Sequence, residues 1–223
     1  MEHTFWHDRW KLNQVGFHLN YVHPLLIRNL ELFQFNTGSA VQSRIFLPLC
    51  GKTLDIGYLL SKNYSVVAVE LSEVAVQAVF QALDLQPDNP VKISDWAGGK
   101  LYQANNLQIY VGDFFALTQG DLGDVALVYD RGALIALPEP LRTDYSRHLA
   151  KITEYAPQLL ITLDYDQTVA GGPPFAVSTE NVEALYGNSY SIQLLEEADI
   201  IEEEPRFKAK GIKAFYQRAY RLK

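Results

Sequence analysis

The sequence predicts a doubly wound α/β protein built on a mostly parallel sheet. Strand-like apolar runs alternate with helical patterns along much of the 223 residues, and this alternation is typical of parallel sheets with helices on both faces. A buried strand, a glycine turn, a short helix and a second strand ending on an acid follow one another within 44–73. The strand-like runs lie at 44–49, 65–70, 107–111, 125–130 and 159–164.

The N-terminal segment is predicted to be helical and aromatic. Phe5, Trp6 and Trp10 can share one face of a helix. A second apolar stripe follows at helical spacing, formed by Val22, Leu25, Leu26, Leu30 and Phe33. We therefore expect helices before the first strand.

The elements after the first two strands follow from similar patterns. Ser72 is a candidate N-cap for a helix that carries an apolar stripe from Val76 to Leu83. Alternating runs around Asn105-Asn106 predict a hairpin between 100 and 111, and apolar spacing predicts a helix near 139–154. Two final runs, 190–195 and 213–220, are predicted to pair antiparallel across an acidic loop without a helix.

Composition restricts the class of protein. Hydrophobic residues make up 48% and charged residues 20%, which is typical of a globular chain. The formal charge of −7 disfavours nucleic acid and anionic membranes as partners. No apolar run is long enough to span a bilayer, the first residues do not resemble a signal peptide, and Cys50 stands alone. We expect a cytoplasmic protein that folds as one domain over 1–223, since no linker or repeat divides it.

The turn between the first two strands argues against a phosphate ligand. A phosphate-binding loop needs a glycine at each end of its motif. Gly51-Lys52-Thr53 matches the end of that motif, but Phe46 occupies the position of the first glycine. A dinucleotide site needs three glycines around the turn, and only Gly51 is found. A ligand with a ribose but without phosphates remains.

Glu70 lies 19 residues after Gly51, where a carboxylate suits the two ribose hydroxyls of a ligand such as S-adenosylmethionine. The alternative is a solvated acid at a strand end. Asp113 and Phe114 follow a later strand and could provide a polar edge and an apolar face for adenine. Arg131 follows another strand, where it could bind an anionic substrate or form a salt bridge.

Other catalytic chemistry is less well supported. Cys50 fits a tight turn better than a nucleophile, and the N-terminal histidines lack the spacing of a metal site, so no metal is expected. Asp130, Asp164 and Asp166 are candidates for a general base, but structural roles suit them as well, and no catalytic base is assigned.

Eight motifs in register identify a family. The chain resembles the thiopurine S-methyltransferases, in their bacterial form, through FWHDRW, QVGFH, LPLCGKTLD, VVAVELSE, GDFFAL, YDRGALIALP, LDYDQ and GPPF. The resemblance implies a class I S-adenosylmethionine-dependent methyltransferase fold, Rossmann-like, with a seven-stranded sheet, an antiparallel last strand and an N-terminal helical cover. It also implies S-adenosylmethionine as the methyl donor.

The resemblance carries specific residues over to this chain. The cofactor contacts that it implies are Trp10, Leu49, Glu70, Asp113, Phe114 and Arg131. The acceptor contacts that it implies are Phe17, Arg131 and Arg206, with Arg131 close to both ligands. Lys210 stands where animal members carry a tryptophan, which leaves the acceptor preference open.

The function that follows is methyl transfer to the sulfur of thiopurines or of other aromatic or heterocyclic thiols, by a monomer. Two alternatives stay open at this point. One is a methyltransferase that acts on tellurium or selenium oxyanions, halide or thiocyanate. The other is a nucleoside-binding module without catalytic activity.

Overall fold

The computed structural model describes residues 3–12, 14–16, 18–33, 42–83 and 90–223. The strands in these ranges are β1 Arg44–Leu47, β2 Ser65–Glu70, β3 Lys92–Trp96, β4 Gly99–Ala104, β5 Leu107–Gly112, β6 Leu127–Arg131, β7 Gln158–Asp164, β8 Ile192–Asp199 and β9 Tyr216–Leu222. The α-helices are α1 His3–Lys11, α2 Pro24–Asn29, α3 Asp55–Ser61, α4 Glu73–Ala82, α5 Gln119–Leu122, α6 Glu139–Ile152, α7 Thr179–Tyr186 and α8 Pro205–Lys208.

All described strands belong to one sheet, in the order β3-β4-β5-β2-β1-β6-β7-β9-β8. The five central strands, from β5 to β7, run parallel to one another. The last strand, β9, pairs antiparallel with β7 on one side and with β8 on the other. The predicted parallel strands and the antiparallel last strand are therefore confirmed, within a sheet that is mixed because its outer strands pair antiparallel.

The expected strand number of seven is not what the structure shows, because the sheet contains nine described strands. The two additional strands are β3 and β4, which extend the sheet beyond β5 as antiparallel neighbours. Four of the five β3 residues are exposed, so Lys92–Trp96 lacks the apolar alternation that reveals a strand in a sequence. The predicted hairpin at Asn105 joins β4 to β5.

The hydrophobic core lies on both faces of the sheet. Neighbouring residues of β1 illustrate this, because Ile45 packs into one buried cluster and Phe46 into the other, and both are fully buried. The first cluster lies under α2, α3 and α4, whereas the second includes Tyr145 and Leu149 of α6. Strands buried on both faces read as nearly continuous apolar runs, which explains why these strands were found from the sequence.

Two local predictions need correction. The segment between β8 and β9 was expected to lack a helix, but it contains α8 and a 3-10 turn at Ile201–Glu203. Such short helical segments are too brief for a periodic pattern. Ser72 does precede α4 as predicted, yet its side chain makes no capping hydrogen bond.

Within the described ranges, no helix combines the length and the apolar character that a membrane span requires. Over the same residues, we find no group of three or more histidine, cysteine or carboxylate side chains arranged to hold a metal ion.

Candidate cofactor and acceptor site

The turn that follows β1 has an unusual backbone. Leu49 and Gly51 both adopt positive φ angles, of 46° and 58°. A left-handed conformation costs little at glycine but is uncommon at leucine, so the turn stores some strain. The amide of Cys50 is fixed by donating a hydrogen bond of 3.0 Å to the carbonyl of Val69 in β2. The end of β2 therefore determines the shape of this turn.

The carboxylate of Glu70 occupies the inside of the turn. Its Oε2 accepts a hydrogen bond of 2.8 Å from the amide of Gly51, and its Oε1 accepts one of 2.8 Å from the amide of Ser72. The side chain is buried, and burial raises the pKa of its carboxyl group, although these amide hydrogen bonds oppose the rise. Each oxygen retains a lone pair for a further donor.

This arrangement excludes a phosphate more firmly than the missing glycines do. In phosphate-binding loops, the backbone amides of the glycine turn point at the anion. Here the Gly51 amide already binds Glu70, and a buried carboxylate repels a phosphate group. A pair of hydroxyl donors, by contrast, fits the free lone pairs of Glu70.

A cleft opens beyond the carboxyl ends of β1, β2 and β5, next to Glu70. It encloses about 540 Å³ of space, part of which is open to solvent. Its lining residues are His3, Trp6, Leu49, Val69, Glu70, Leu71, Gly112, Asp113, Phe114, Phe115, Leu137, Leu141 and Tyr145. Four residues predicted as cofactor contacts, Leu49, Glu70, Asp113 and Phe114, are thus brought together in one cleft.

The segment after β5 gives the cleft a polar and an aromatic side. Asp113 Oδ1 accepts a hydrogen bond of 3.0 Å from the Phe115 amide and so begins the 3-10 turn that carries Phe114. Phe114 is buried, and its ring centroid lies 4.9 Å from that of Tyr145 and 5.1 Å from that of His148. These contacts fix an apolar surface beside the half-exposed carboxylate of Asp113, which is the combination expected for adenine.

Helix α1 covers part of the site. Trp10 is buried, and its indole lies 3.5 Å from the position that a Cβ atom on Gly51 would occupy. A side chain at position 51 would therefore meet the indole and would also be strained by the positive φ. Trp10 thus packs directly on the turn that contacts Glu70, although it is not among the lining residues of the cleft.

The same helix contributes residues that sequence reasoning missed. Trp6 was predicted only as part of an apolar helix face, but it lines the cleft together with His3, whose Nε2 lies 3.7 Å from Asp113 Oδ2. Tyr145, Leu137 and Leu141 were also missed as cleft residues. The apolar spacing of Leu141 and Tyr145 predicted a helix face correctly, but the spacing alone does not distinguish a core position from a cleft position.

Arg131 ends β6 and belongs to a positively charged region outside the lined cleft. The pKa of His18 is lowered by burial first and then by the charges of Lys52 and Arg131. Burial and the charge of Arg131 also lower the pKa of His23, to about 4. Among the described residues, neither Arg131 nor Lys52 forms an ion pair. The predicted alternative of a salt bridge for Arg131 is thus not observed in this part of the chain.

One acid, Asp55, partly offsets the positive charge of this region. Asp55 is buried, and it accepts hydrogen bonds from the backbone amide of His23 at 2.8 Å and from the Tyr129 hydroxyl at 3.0 Å. Asp55 carries one negative charge against the two positive charges of Arg131 and Lys52, so the region keeps a positive charge that favours an anionic ligand.

Arg206 lies on α8 and reaches the segment that precedes Phe17. A Cβ atom on Gly16 would overlap the guanidinium group of Arg206, so these two residues are in close contact. Helix α8 is held in place because Phe207 packs on Phe215, with ring centroids 4.5 Å apart. Phe17 itself lies outside the described residues, and its predicted role in the acceptor pocket stays a prediction.

The three candidate bases all have structural partners. Asp130 is fully buried and bonds Tyr145, Asp164 pairs with Arg218 at 2.6 Å, and Asp166 accepts hydrogen bonds from Thr168. These hydrogen bonds and ion pairs give each of the three acids a structural role, and no proton transfer is assigned to any of them.

The architecture and the cleft define the class of protein. The fold is that of the S-adenosylmethionine-dependent methyltransferases. A solved N1-methyltransferase from Burkholderia thailandensis, with bound 1,6-didemethyltoxoflavin and S-adenosylhomocysteine, shares it with a TM-score of 0.60 at 12% identity, over 99% of this chain and 86% of that one.

Sequence comparison identifies the family within this class. The sequence profile of the thiopurine S-methyltransferase family matches residues 1–223. A thiopurine S-methyltransferase of Teredinibacter turnerae is 44% identical over 88% of this chain and 87% of its own length. One from Pseudomonas fluorescens is 42% identical over 100% of this chain and 99% of its own length. The chain belongs to the thiopurine S-methyltransferase family.

Proposed function

We propose that this protein transfers the methyl group of S-adenosylmethionine to the sulfur of a thiopurine or of a related aromatic or heterocyclic thiol. The observation that carries the donor assignment is the buried Glu70 carboxylate. It accepts hydrogen bonds from the Gly51 and Ser72 amides and keeps two lone pairs for ribose hydroxyls. Family membership supports the same donor and names a sulfur acceptor.

The donor is proposed to lie in the cleft beside Glu70. Glu70 would accept the two ribose hydroxyls, Asp113 and Phe114 would contact the adenine, and the turn at Leu49 would offer backbone groups to the amino-acid part. Trp10, packed on Gly51, would close the site from the N-terminal side. S-adenosylmethionine supplies an electrophilic methyl group on a sulfonium sulfur.

The acceptor is proposed to lie on the side of Arg131. The charges of Arg131 and Lys52, which form no ion pair among the described residues, favour a thiolate over a thiol, since a nearby cation lowers the pKa of an acidic group. Phe17 and Arg206 would complete the acceptor pocket, and the contact of Arg206 with Gly16 supports this placement.

In the proposed reaction, the thiol first loses its proton to solvent. The thiolate then attacks the methyl carbon in line with the leaving sulfur, so that a carbon–sulfur bond forms as another breaks and its electron pair stays on the departing thioether. The protein contributes by aligning the two ligands and by excluding water, and such alignment supplies several kcal/mol of the barrier reduction. A dedicated protein base is unnecessary for an acceptor that is already ionised.

The state and place of action are part of the proposal. We infer that 1–223 acts as one methyltransferase domain, as a monomer, in the cytoplasm. The single sheet that runs through the described residues supports one domain. Analytical ultracentrifugation would show a species near 25.2 kDa for a monomer and near twice that mass for a dimer.

The test compares acceptors at fixed donor concentration. We expect S-adenosylhomocysteine and methylated product from 6-mercaptopurine, and slower turnover with tellurite, selenite or iodide. Absence of thiopurine turnover at millimolar concentration, with turnover of one of the other acceptors, would overturn the acceptor. Calorimetry that detects no binding of S-adenosylhomocysteine would overturn the donor as well.

A further inference from the structure

Asp130 is a buried acid at the edge of the cofactor cleft that the proposed reaction does not use. It is the penultimate residue of β6, and its side chain is fully buried on the face of the sheet opposite Tyr129. Its neighbour Arg131 therefore extends from the other face of the strand, since successive side chains alternate. Asp130 is thus separated from the proposed acceptor by the sheet itself.

The carboxylate joins two parts of the cleft. Its Oδ2 accepts a hydrogen bond of 2.7 Å from the hydroxyl of Tyr145, and Tyr145 lines the cleft. Its Oδ1 accepts one of 3.1 Å from the amide of Leu134, which begins the 3-10 turn that ends at the cleft residue Leu137. One side chain therefore ties α6 and the loop after β6 together.

The ionised carboxylate binds both partners through charge-assisted hydrogen bonds. Tyr145 O–H and Leu134 N–H are both donors in this arrangement, and an ionised carboxylate is purely an acceptor. A protonated carboxyl group is neutral, so its hydrogen bonds to Tyr145 and Leu134 lose their charge assistance and hold the two elements less strongly.

We propose that Asp130 is a positioning residue for cofactor binding, whose ionised carboxylate holds Tyr145 and the loop from Leu134 to Leu137 in the arrangement that receives the cofactor. The proposal rests on the proposed donor site and extends it to a residue that does not contact the ligand.

The surroundings of Asp130 give the proposal a measurable signature. Burial raises the pKa of Asp130 to about 6, while the hydrogen bond from Tyr145 opposes the rise. The titratable groups that face it are Tyr145 of α6 and Tyr186 of α7, both with pKa values raised mainly by burial. Since these tyrosines stay neutral, Asp130 is the group of this cluster that titrates near pH 6.

The experiment measures the dissociation constant of S-adenosylhomocysteine between pH 5 and 8 by calorimetry. In the wild type, we expect binding to weaken below a midpoint near pH 6, by up to about tenfold at pH 5, because the form with an ionised Asp130 binds the ligand more tightly than the protonated form. Asp130→Asn should bind more weakly at pH 7 and should lose this midpoint. Any dependence that remains in this variant belongs to other groups, such as Glu70.

Tyr145→Phe tests the proposal even if Asp130→Asn does not fold. Loss of the tyrosine hydroxyl removes a hydrogen bond that lowers the pKa of Asp130, so the midpoint should move to higher pH. Tyr129→Phe is the matched control, because it removes a buried hydroxyl bonded to a different carboxylate, that of Asp55, and Tyr129 is absent from the cleft. Its midpoint should equal that of the wild type.

The outcomes separate the two proposals. If the wild type binds S-adenosylhomocysteine but Tyr145→Phe and Tyr129→Phe share its midpoint, or if a folded Asp130→Asn retains it, the positioning role is overturned. If the wild type does not bind at any pH, the donor site itself is overturned. Thermal unfolding of each variant verifies that the compared proteins are folded.

Discussion

Replacing Glu70 by glutamine changes the group that we propose binds the ribose, at nearly constant shape. Glu70 now accepts hydrogen bonds of 2.8 Å from both Gly51 and Ser72. A glutamine offers one oxygen in place of two and a neutral group in place of a charge. Its amide nitrogen would have to face one of these two backbone donors, so the side chain could not keep both contacts.

The magnitude follows from the lost charge-assisted bonds. Hydrogen bonds to a charged group contribute about 1.5–3 kcal/mol, whereas neutral ones contribute about 0.5–1.5 kcal/mol. Loss of charge assistance at two ribose hydroxyls therefore weakens binding by about 1.5–3 kcal/mol. At 1.36 kcal/mol per factor of ten, this corresponds to roughly a 10- to 150-fold larger dissociation constant.

The assay is calorimetric titration with S-adenosylhomocysteine at pH 7.5. Glu73→Gln is the matched control, because Glu73 bonds Lys100 and Tyr102 instead of lining the cleft. It undergoes the same chemical change three positions away, and we expect its affinity to stay within about twofold of the wild type. Equal dissociation constants for the two variants would refute the ribose assignment of Glu70.

The remaining predictions concern the acceptor, the sulfonium and stability. Arg131→Gln should lower kcat/KM for 6-mercaptopurine at least about tenfold; unchanged steady-state kinetics would remove Arg131 from the site. We expect the Trp10 indole to face the sulfonium of S-adenosylmethionine, so Trp10→Leu should weaken binding of this cation about 2- to 30-fold more than binding of neutral S-adenosylhomocysteine. Equal losses in calorimetry would contradict such a cation–π contact. Asp164→Asn breaks one bond of Arg218 and should lower the free energy of unfolding by about 1–2 kcal/mol in urea, against less than about 0.5 kcal/mol for the exposed Asp144→Asn. Equal effects of these two would show that the Asp164 pair adds no stability.

Much of the fold was predictable because its signal is local. Strands β1, β2, β6 and β7 are buried on both faces, and their continuous apolar runs are readable in the sequence. The edge strand β3 was missed because its side chains are mostly exposed, and α8 was missed because four residues carry no helical period.

Only part of the candidate site was predictable from the sequence. Motifs identified Leu49, Glu70, Asp113 and Phe114, and the structure places all four in one cleft. Trp6 and Tyr145 belong to the same cleft but carried only the signal of apolar helical spacing. A periodic pattern predicts which face of a helix is apolar, but it does not indicate whether that face packs in the core or lines a cleft.

The sequence by itself determined the buried central strands of the sheet, the family of the protein and the absence of a phosphate-binding glycine pattern, because these depend on residue types and on short spacings along the chain. Only the tertiary structure decided that Glu70 accepts a hydrogen bond from the Gly51 amide and that Trp10 packs on that glycine. It also decided that Asp130 links Tyr145 to the loop after β6 through hydrogen bonds. Each of these contacts joins residues of different elements, and the relative positions of the elements are set by packing against a common core.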